Sequence, residues 1–207
     1  MAEADTTPEV TEDRRDAILH AALDVFAEHG FKGATIKTLA SAAGLKSPAL
    51  LYWYFPNKDE LFRAVLLRYV PVLDDAELRA QPPADDPPEV FLAGLMRRVL
   101  SHFAEPEAAK AFWLMIREHR LLAEAGVSLS AARPGNVATI VTDYLRAQVE
   151  RGVLRPHDPD AVVRLLVAQL NFALQSRTVA LGLLPPPPDD ETLIAETLEI
   201  VLEGLRP

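Results

Sequence analysis

Four lysines lie between residues 31 and 58, and no acidic residue interrupts them. They are Lys32, Lys37, Lys46 and Lys58, so this window of the chain carries a net charge of +4. The whole chain is acidic, with 21 basic and 30 acidic residues and a net charge of −9. Local clustering of charge on one face, rather than total charge, decides whether a protein binds a polyanion. The window could therefore bind phosphate groups although the rest of the chain would repel them.

Hydroxyl and aromatic side chains accompany these lysines. Amines and hydroxyls bind phosphate oxygens, and small apolar side chains contact thymine methyl groups. Because Pro48 and Ala49 carry no polar side-chain group, indirect readout of DNA shape is expected to contribute to sequence discrimination. The candidate contacts to duplex DNA are Thr35, Lys37, Lys46, Ser47, Pro48, Ala49, Tyr52, Trp53 and Lys58. The alternative is an ordinary helical hairpin whose lysines are merely solvated.

Two short helices and a tight turn would position these residues. Thr35 is a typical N-cap for a helix that continues to Ala43, and Gly44 supplies the left-handed backbone that a tight turn requires. Ser47 caps the next helix, with Pro48 at the first helical position, where proline is tolerated. The spacing predicts a helix-turn-helix, in which the second helix is presented to the DNA major groove. The residues predicted to pack inward are Ile36, Leu39, Ala43, Leu45, Leu51 and either Tyr54 or Phe55.

Flanking helices complete the amino-terminal part. A first helix is predicted to begin at Thr11 and to end at Gly30, and a fourth is capped by Asn57 with Glu60 three residues later, as in a capping box. Five further segments show helical spacing of apolar residues, over 92–103, 109–116, 137–152, 160–184 and 190–205. No strand-like alternation is present. The sequence therefore predicts an all-α protein of about nine helices.

The last two helical segments carry more apolar surface than one buried face needs. A helix that is apolar on nearly all sides must be covered on more than one face. The surplus on 160–184 and 190–205 favours a subunit interface over simple packing into the chain's own core, although both interpretations are open.

Several classes of protein are disfavoured by what the sequence lacks. It contains no cysteine, which excludes disulfides, thiol catalysis and thiolate zinc sites. No run reaches the ~18 apolar residues of a membrane helix, and the first 30 residues, with eight acids, are unlike a secretory signal. Glu118-His119 lacks the second histidine of a zinc protease helix. We expect a cytoplasmic protein without a metal, a cofactor, a membrane association or an enzymatic activity.

The run from Ala17 to Phe62 resembles the TetR family of bacterial transcriptional regulators. The segments that carry the resemblance are, in chain order, FAEHGF (26–31), GATI (33–36), LA (39–40) with AGL (43–45), and YWYFPNKDELF (52–62). The run from Ala17 to Phe62 covers about a quarter of the chain. Between Gly44 and Tyr52 the chain has one residue more than the commonest form of the family pattern. Tyr52, Trp53 and Lys58 take the positions of phosphate contacts, and Lys37 that of a groove-edge contact on the first helix of the motif.

The resemblance implies a division of the chain and a function. After a tail at 1–10, residues 11–56 would form a three-helix DNA-binding domain and residues 57–207 a ligand-binding and dimerisation domain. Two chains would pair through residues 159–184 and 190–205 and bind a palindromic operator. The implied function is a repressor that a small effector releases from double-stranded DNA.

The resemblance also implies an effector pocket among the central helices. Large apolar side chains with a few polar ones suggest a hydrophobic or aromatic effector. The candidate lining residues are Met96, His102, Phe103, Phe112, Trp113, Met115, His119, Tyr144, Gln148, Gln169 and Phe172. The same residue types at helical spacing are also typical of a plain core, and Gln169 could instead bond across a dimer interface.

Two other functions compete with a DNA-binding regulator. One is an all-α small-molecule sensor or carrier whose helix-turn-helix binds a protein partner, which the acidic remainder of the chain would suit. The other is an enzyme acting in the helical cavity, although no nucleophile and base, and no metal cluster, can be assembled from the sequence.

Overall fold

The computed structural model describes residues 12–70, 85–124, 137–178 and 188–207. Over these residues it contains ten α-helices, one 3-10 turn and no strand, which confirms the all-α prediction. The helices are α1 (Glu12–Gly33), α2 (Ile36–Ala42), α3 (Leu51–Tyr54), α4 (Lys58–Tyr69), α5 (Pro88–His102), α6 (Pro106–Arg117), α7 (His119–Glu124), α8 (Val137–Glu150), α9 (Pro159–Thr178) and α10 (Asp190–Glu203). The short α7 is the one that the sequence analysis missed. The predicted tail at 1–10, the start at Thr11 and residues 179–184 of the predicted interface lie outside the described residues.

The chain divides into two compact units. Of the described residues, the first contains 12–70 with 107–124, and the second contains 85–106 with 137–178 and 188–207. The first unit therefore joins the helix-turn-helix not only to α1 and α4 but also to most of α6, which lies far away in the sequence. The predicted domain boundary after residue 56 stays a prediction.

The core of the first unit forms where α1 crosses α4. Three phenylalanine rings meet there. The ring centre of Phe62 lies 5.0 Å from those of Phe26 and Phe31, and both pairs are edge to face. Such edge-to-face pairs add to the gain from apolar burial. Leu23 and Leu61 are fully buried beside this cluster.

The first helix breaks at Gly30 but does not end there. Gly30 has φ 71° and ψ 171°, a conformation that residues with a side chain rarely adopt. The prediction of a stop at Gly30 is thus right about the backbone and wrong about the helix end, because the chain resumes a helical turn that runs to Gly33. Phe31 explains the resumption, since it packs its ring into the phenylalanine cluster of the core.

The second unit packs α5, α8, α9 and α10 together. Its fully buried side chains include Leu92 and Leu100 on α5 and Leu145 on α8. Gly152, with φ 72°, ends α8 as predicted: its amide and that of Val153 donate to the carbonyl oxygens of Val149 and Gln148. Arg155 then fixes the next turn to the end of α10 through a 2.7 Å bond from Nε to the Gly204 carbonyl oxygen.

Within the described parts of the chain, no helix is both long and apolar enough to cross a membrane.

Candidate nucleic-acid interface

A double hydrogen bond between two threonines fixes the start of the first helix of the motif. The Thr38 amide donates to Thr35 Oγ1 at 3.1 Å, and the Thr35 amide donates to Thr38 Oγ1 at 2.9 Å. This is a capping box in which threonine takes the place of the usual glutamate or glutamine. Thr35 therefore caps α2 as predicted, and its hydroxyl lies exposed at the amino end of the helix.

The turn between the two helices is a complete Schellman motif. Gly44, with φ 64°, donates from its amide to the Ser41 carbonyl oxygen, and Leu45 donates to the Ala40 carbonyl oxygen. Arg14 on α1 adds a tertiary contact, since its Nη2 donates to the Gly44 carbonyl oxygen at 3.1 Å. The turn is thus fixed both by local geometry and by the first helix.

The second helix of the motif begins as a 3-10 turn, Pro48–Leu50, and continues as the single α-helical turn α3. Ser47 is its cap, because its Oγ accepts from the Ala49 amide at 3.1 Å. Leu51 and Phe55 are buried, so of the two alternatives left open by the sequence Phe55 is the inward residue, and Tyr54 is half-buried. Ile36 and Leu45, both predicted to pack inward, are only half-buried. Leu39 and Ala43 are buried as predicted.

Aromatic side chains project from the second helix into solvent. Tyr52 is 51% exposed and Trp53 is 56% exposed, which is unusual for side chains of this size. Their neighbours along the chain, Leu51 and Tyr54, point to the core or its edge. An exposed aromatic pair on a helix with a basic surround can contact a sugar-phosphate backbone.

The predicted lysines fall into two groups. Lys37 and Lys46 are exposed. Lys58 is half-buried at the start of α4, and its Nζ donates to the carbonyl oxygens of Phe31 at 2.8 Å and Ala34 at 3.0 Å. Two of its three donors are therefore used inside the protein. Its ammonium also lies 4.3 Å from the Phe31 ring centre, a cation–π distance.

The remaining predicted contacts, Pro48 and Ala49, are exposed, and Ser47 is half-buried. The structure thus brings the predicted DNA contacts to one corner of the first unit, with Lys58 as the member most engaged by its own chain. Their contact with DNA stays a prediction.

Two arginines of α1 beside this corner were missed by the sequence analysis. Arg14 binds the turn at Gly44, and the guanidinium of Arg15 lies 4.9 Å from the centre of the Phe55 ring. Both contacts join residues about thirty or more positions apart. No local sequence pattern predicts these two contacts, because the sequence of α1 is amphipathic whether or not its arginines have such partners.

The predicted effector contacts divide between the two units. Phe112 is buried and Trp113 and Met115 are half-buried on α6, whereas His119 is exposed at the start of α7 with its Nδ1 2.9 Å from the Ile116 carbonyl oxygen. In the second unit four are buried, Met96, Phe103, Tyr144 and Gln148, and three are half-buried, His102, Gln169 and Phe172.

Tyr144 is the best defined of these residues. Its hydroxyl donates to the Asp86 carbonyl oxygen at 2.6 Å, and its ring centre lies 4.4 Å from that of Phe91. Burial, with a further contribution from the negative charges of Asp86 and Glu89, raises the pKa of Tyr144 to about 12. Tyr144 is therefore a neutral hydrogen-bond donor at physiological pH.

Each unit contains an open groove. A groove of about 540 Å³ lies in the second unit along α5 and α10, and a groove of about 330 Å³ lies in the first unit between α1 and α4. None of the eleven predicted effector contacts lines either groove. The predicted pocket stays a prediction.

A capped helix-turn-helix with an exposed basic and aromatic face defines the class of DNA-binding helix-turn-helix proteins. Comparison with known proteins makes the assignment specific. A family model described as bacterial regulatory proteins of the tetR family matches residues 18–65. A second, described as the C-terminal domain of AefR-like transcriptional repressors, matches residues 91–203. The chain belongs to the TetR family, as its sequence motifs implied.

Whole-length relatives agree with the family. The chain is 30% identical to the transcriptional repressor Rv1474c of Mycobacterium tuberculosis, with 96% of this chain and 98% of the relative covered. It is 29% identical to the transcriptional regulator RutR of Escherichia coli, with 94% and 91% covered. Both relatives are transcriptional regulators.

A solved structure gives the same fold over nearly the whole chain. SmeT, the repressor of the SmeDEF multidrug efflux pump of Stenotrophomonas maltophilia, superimposes with a TM-score of 0.69 at 25% identity, covering 94% of this chain and 92% of SmeT. SmeT has also been solved in complex with triclosan, a structure that matches with a TM-score of 0.69 at 24% identity and covers 91% of each chain.

Proposed function

We propose that this chain is a ligand-responsive transcriptional repressor, which binds a palindromic operator as a homodimer and is released by a small hydrophobic or aromatic effector. The observation that carries the proposal is the exposed face of the helix-turn-helix, with Lys37, Lys46, Tyr52 and Trp53 open to solvent on a corner fixed by three caps. Repression rather than activation is supported by the matched repressor family and by the relatives named as repressors. A DNA-binding regulator of a bacterial family acts in the cytoplasm.

The contacts to DNA divide by chemistry. Lys37, Lys46, Tyr52 and Thr35 are proposed to bind phosphates, which positions the protein without reading sequence. Pro48 and Ala49 lie exposed at the front of the second helix, where apolar contact to thymine methyl groups is the available form of direct readout. We assign Lys58 a smaller role at the DNA, because its ammonium is bound by two carbonyl groups.

Dimerisation is proposed through α9 and α10, within residues 159–184 and 190–205. Leu165 on α9 is 61% exposed and Ile200 on α10 is 76% exposed, and both belong to the second unit. Ala161 precedes Leu165 by four residues and Ala168 follows it by three, which makes an apolar stripe along α9. Exposed apolar stripes of this kind mark subunit interfaces. Pairing would place two recognition helices about 34–36 Å apart, the spacing of successive major grooves.

The effector is proposed to bind among the central helices at the predicted contacts, from Met96 to Phe172, within a domain that runs from residue 57 to the carboxyl end. The support is chemical: buried and half-buried aromatic and sulfur side chains accompanied by a few polar groups. The triclosan complex of SmeT supports a small molecule of low polarity.

The DNA-binding proposal can be tested by the salt dependence of binding. The probe is a duplex selected by the wild-type protein from a randomised pool, titrated at several salt concentrations. Lys37→Ala and Lys46→Ala should each weaken binding and each lower the slope of log K against log salt by about one, because each removes one phosphate contact. Failure of the wild-type protein to select any duplex would overturn the proposal.

Lys32→Ala is the matched control. Lys32 belongs to the same cationic window and is exposed, but it lies on the last turn of α1 outside the helix-turn-helix. Its removal changes the net charge equally and should leave the slope unchanged. If all three variants lowered the slope alike, general electrostatic attraction rather than specific phosphate contacts would account for binding.

A further inference from the structure

The break in α1 creates a helix end before Gly30 and a helix start after it. The last carbonyl groups of a helix have no intrahelical donor, and the first amides of a new helical turn have no acceptor. The carbonyl groups of Phe26 and Ala27 belong to the last turn before the break at Gly30, and the amide of Phe31 belongs to the turn after it. A buried break would be costly unless side chains satisfied these groups.

Two consecutive residues at the end of α6 satisfy them. Arg117 donates from Nη2 to the Phe26 carbonyl oxygen at 2.8 Å and from Nη1 to the Ala27 carbonyl oxygen at 3.0 Å. Glu118 Oε1 accepts from the Phe31 amide at 3.3 Å. A cation thus lies at the carboxyl end of one helical segment and an anion at the amino end of the next, which are the favourable positions for both charges.

The absence of a side chain at residue 30 makes room for this arrangement. A Cβ atom at Gly30 would lie 2.9 Å from Glu118 Oε1 and 3.8 Å from Arg117 Nη2. The carboxylate of Glu118 is itself largely covered, with 18% of the side chain exposed, whereas the side chain of Arg117 is 48% exposed. Arg117 Nε lies 3.4 Å from Glu118 Oε1, so the two side chains also hold each other.

The segment held in this way leads directly into the helix-turn-helix. Three residues separate Phe31 from Thr35, the cap of α2. Lys58, the first residue of α4, binds the carbonyl groups of Phe31 and Ala34 on the same segment. Residues 30–35 are therefore held by the end of α6 and by the start of α4, and their position sets where α2 begins.

We propose that Arg117 and Glu118 are positioning residues for DNA binding. They hold residues 30–35, and through these residues the helix-turn-helix, in the orientation that engages DNA. The inference rests on the proposed function. The helix that carries Arg117 also carries Phe112, Trp113 and Met115, which are predicted effector contacts, so an effector at α6 would act within a few residues of this contact. Lys110, Leu114 and Arg117 share one face of α6 by helical spacing, and Lys110 and Arg117 contact α1 from it. Phe112 lies two residues before Leu114, about half a helical turn away, and is therefore on another face.

The test compares Arg117→Ala and Glu118→Ala with the wild-type protein on the duplex selected above, at several salt concentrations. Each variant should bind roughly tenfold more weakly, the ordinary effect of losing a hydrogen bond to a charged group. The salt slope should not change, because neither residue is proposed to touch phosphate. Circular dichroism on the same samples gives the folded fraction, and affinities are expressed per folded molecule.

Two further variants separate positioning from a general loss of stability. Glu118→Gln keeps an acceptor oxygen for the Phe31 amide and should restore most of the affinity. Lys110→Ala is the matched control, since Lys110 lies on the same helix and pairs with the exposed Asp24 of α1 without binding a backbone carbonyl. It should leave affinity unchanged.

Three results would overturn the inference while leaving the proposed function intact: Arg117→Ala and Glu118→Ala binding within twofold of wild type per folded molecule, a lowered salt slope in either, or an equal loss in Lys110→Ala. If the wild-type protein bound no duplex at all, the proposed function itself would fail.

Discussion

At the scale of single residues, the environment of a side chain decides whether its chemistry is available to a partner. Lys37 and Lys58 carry the same charge and lie within the same cationic window. Lys37 is exposed, whereas the Lys58 ammonium is bound by two carbonyl groups and lies against a phenylalanine ring. A residue type and its spacing therefore identify candidates, and the hydrogen bonds select among them.

Tyr144 allows a prediction about pH. Tyr144→Phe removes the bond to the Asp86 carbonyl oxygen and should lower the free energy of unfolding by about 1 kcal/mol near neutral pH. Because the pKa of Tyr144 is raised above the ordinary tyrosine value, the neutral side chain stabilises the fold fully at pH values below 10.0. This contribution is lost as pH rises through about 12. The difference between wild type and variant should therefore shrink at about pH 11.

Urea unfolding at both pH values measures this difference. Tyr52→Phe, in which an exposed tyrosine loses its hydroxyl, is the control and should leave stability unchanged near neutral pH. A difference that stayed constant between the two pH values would contradict the role of burial at Tyr144.

At the scale of elements, short-range chemistry explains where most helices begin and end. Asn57 Oδ1 accepts from the Glu60 amide at 2.8 Å, and Asp189 does the same for Thr192 at the start of α10. The two hydrogen bonds from the Thr192 amide and hydroxyl lower the pKa of Asp189, which is the expected effect of donors at a carboxylate. These caps are readable in the sequence because donor and acceptor lie three residues apart.

The glycine turn of the helix-turn-helix predicts a further outcome. Gly44→Ala should destabilise the protein by about 1–2 kcal/mol, because alanine is strained at φ 64° even though a Cβ there would meet nothing within 4 Å. Urea unfolding checks the value. The control is Gly94→Ala in the middle of α5, where a Cβ would also meet nothing but φ is ordinary.

That control should move stability the other way, by about 0.5–1 kcal/mol, since alanine is the better helix former. Equal effects of the two substitutions would show that the positive φ of Gly44 is not the source of its cost.

At the scale of the whole molecule, pairing of two chains would set the spacing of the DNA-binding faces. Leu165→Glu combined with Ile200→Glu should convert the proposed dimer into a monomer without unfolding the chain, because both side chains are already exposed in the single chain. Sedimentation measures the oligomeric state. Affinity for a palindromic duplex should fall by about a hundredfold or more, since a single half-site no longer gains from the second.

Val90→Glu is the control for this prediction, since Val90 is a 58% exposed apolar residue on α5 outside the proposed interface. It should remain dimeric. If the double variant also remained dimeric, the proposed interface on α9 and α10 would be wrong.

The sequence by itself determined the helical fold, the caps at Thr35, Ser47 and Asn57, the turn at Gly44 and the family, because all of these depend on residues a few positions apart. It placed the predicted DNA contacts on the helix-turn-helix for the same reason. The sequence could not show that Phe55 rather than Tyr54 packs inward. Tyr54 and Phe55 follow the inward residue Leu51 by three and four residues, and either spacing fits the same face of a helix.

Only the tertiary structure decided which backbone groups need distant partners. Gly30 is typical of a helix end. Nothing in the sequence around it indicates that the side chains of Arg117 and Glu118, nearly ninety residues away, bind the backbone groups on either side of the break. Lys58 looks like a free phosphate ligand until the fold brings the carbonyl groups of Phe31 and Ala34 within reach. Local hydrogen bonds are encoded by spacing along the chain, whereas these contacts arise only after packing has brought α6 and α4 against the end of α1.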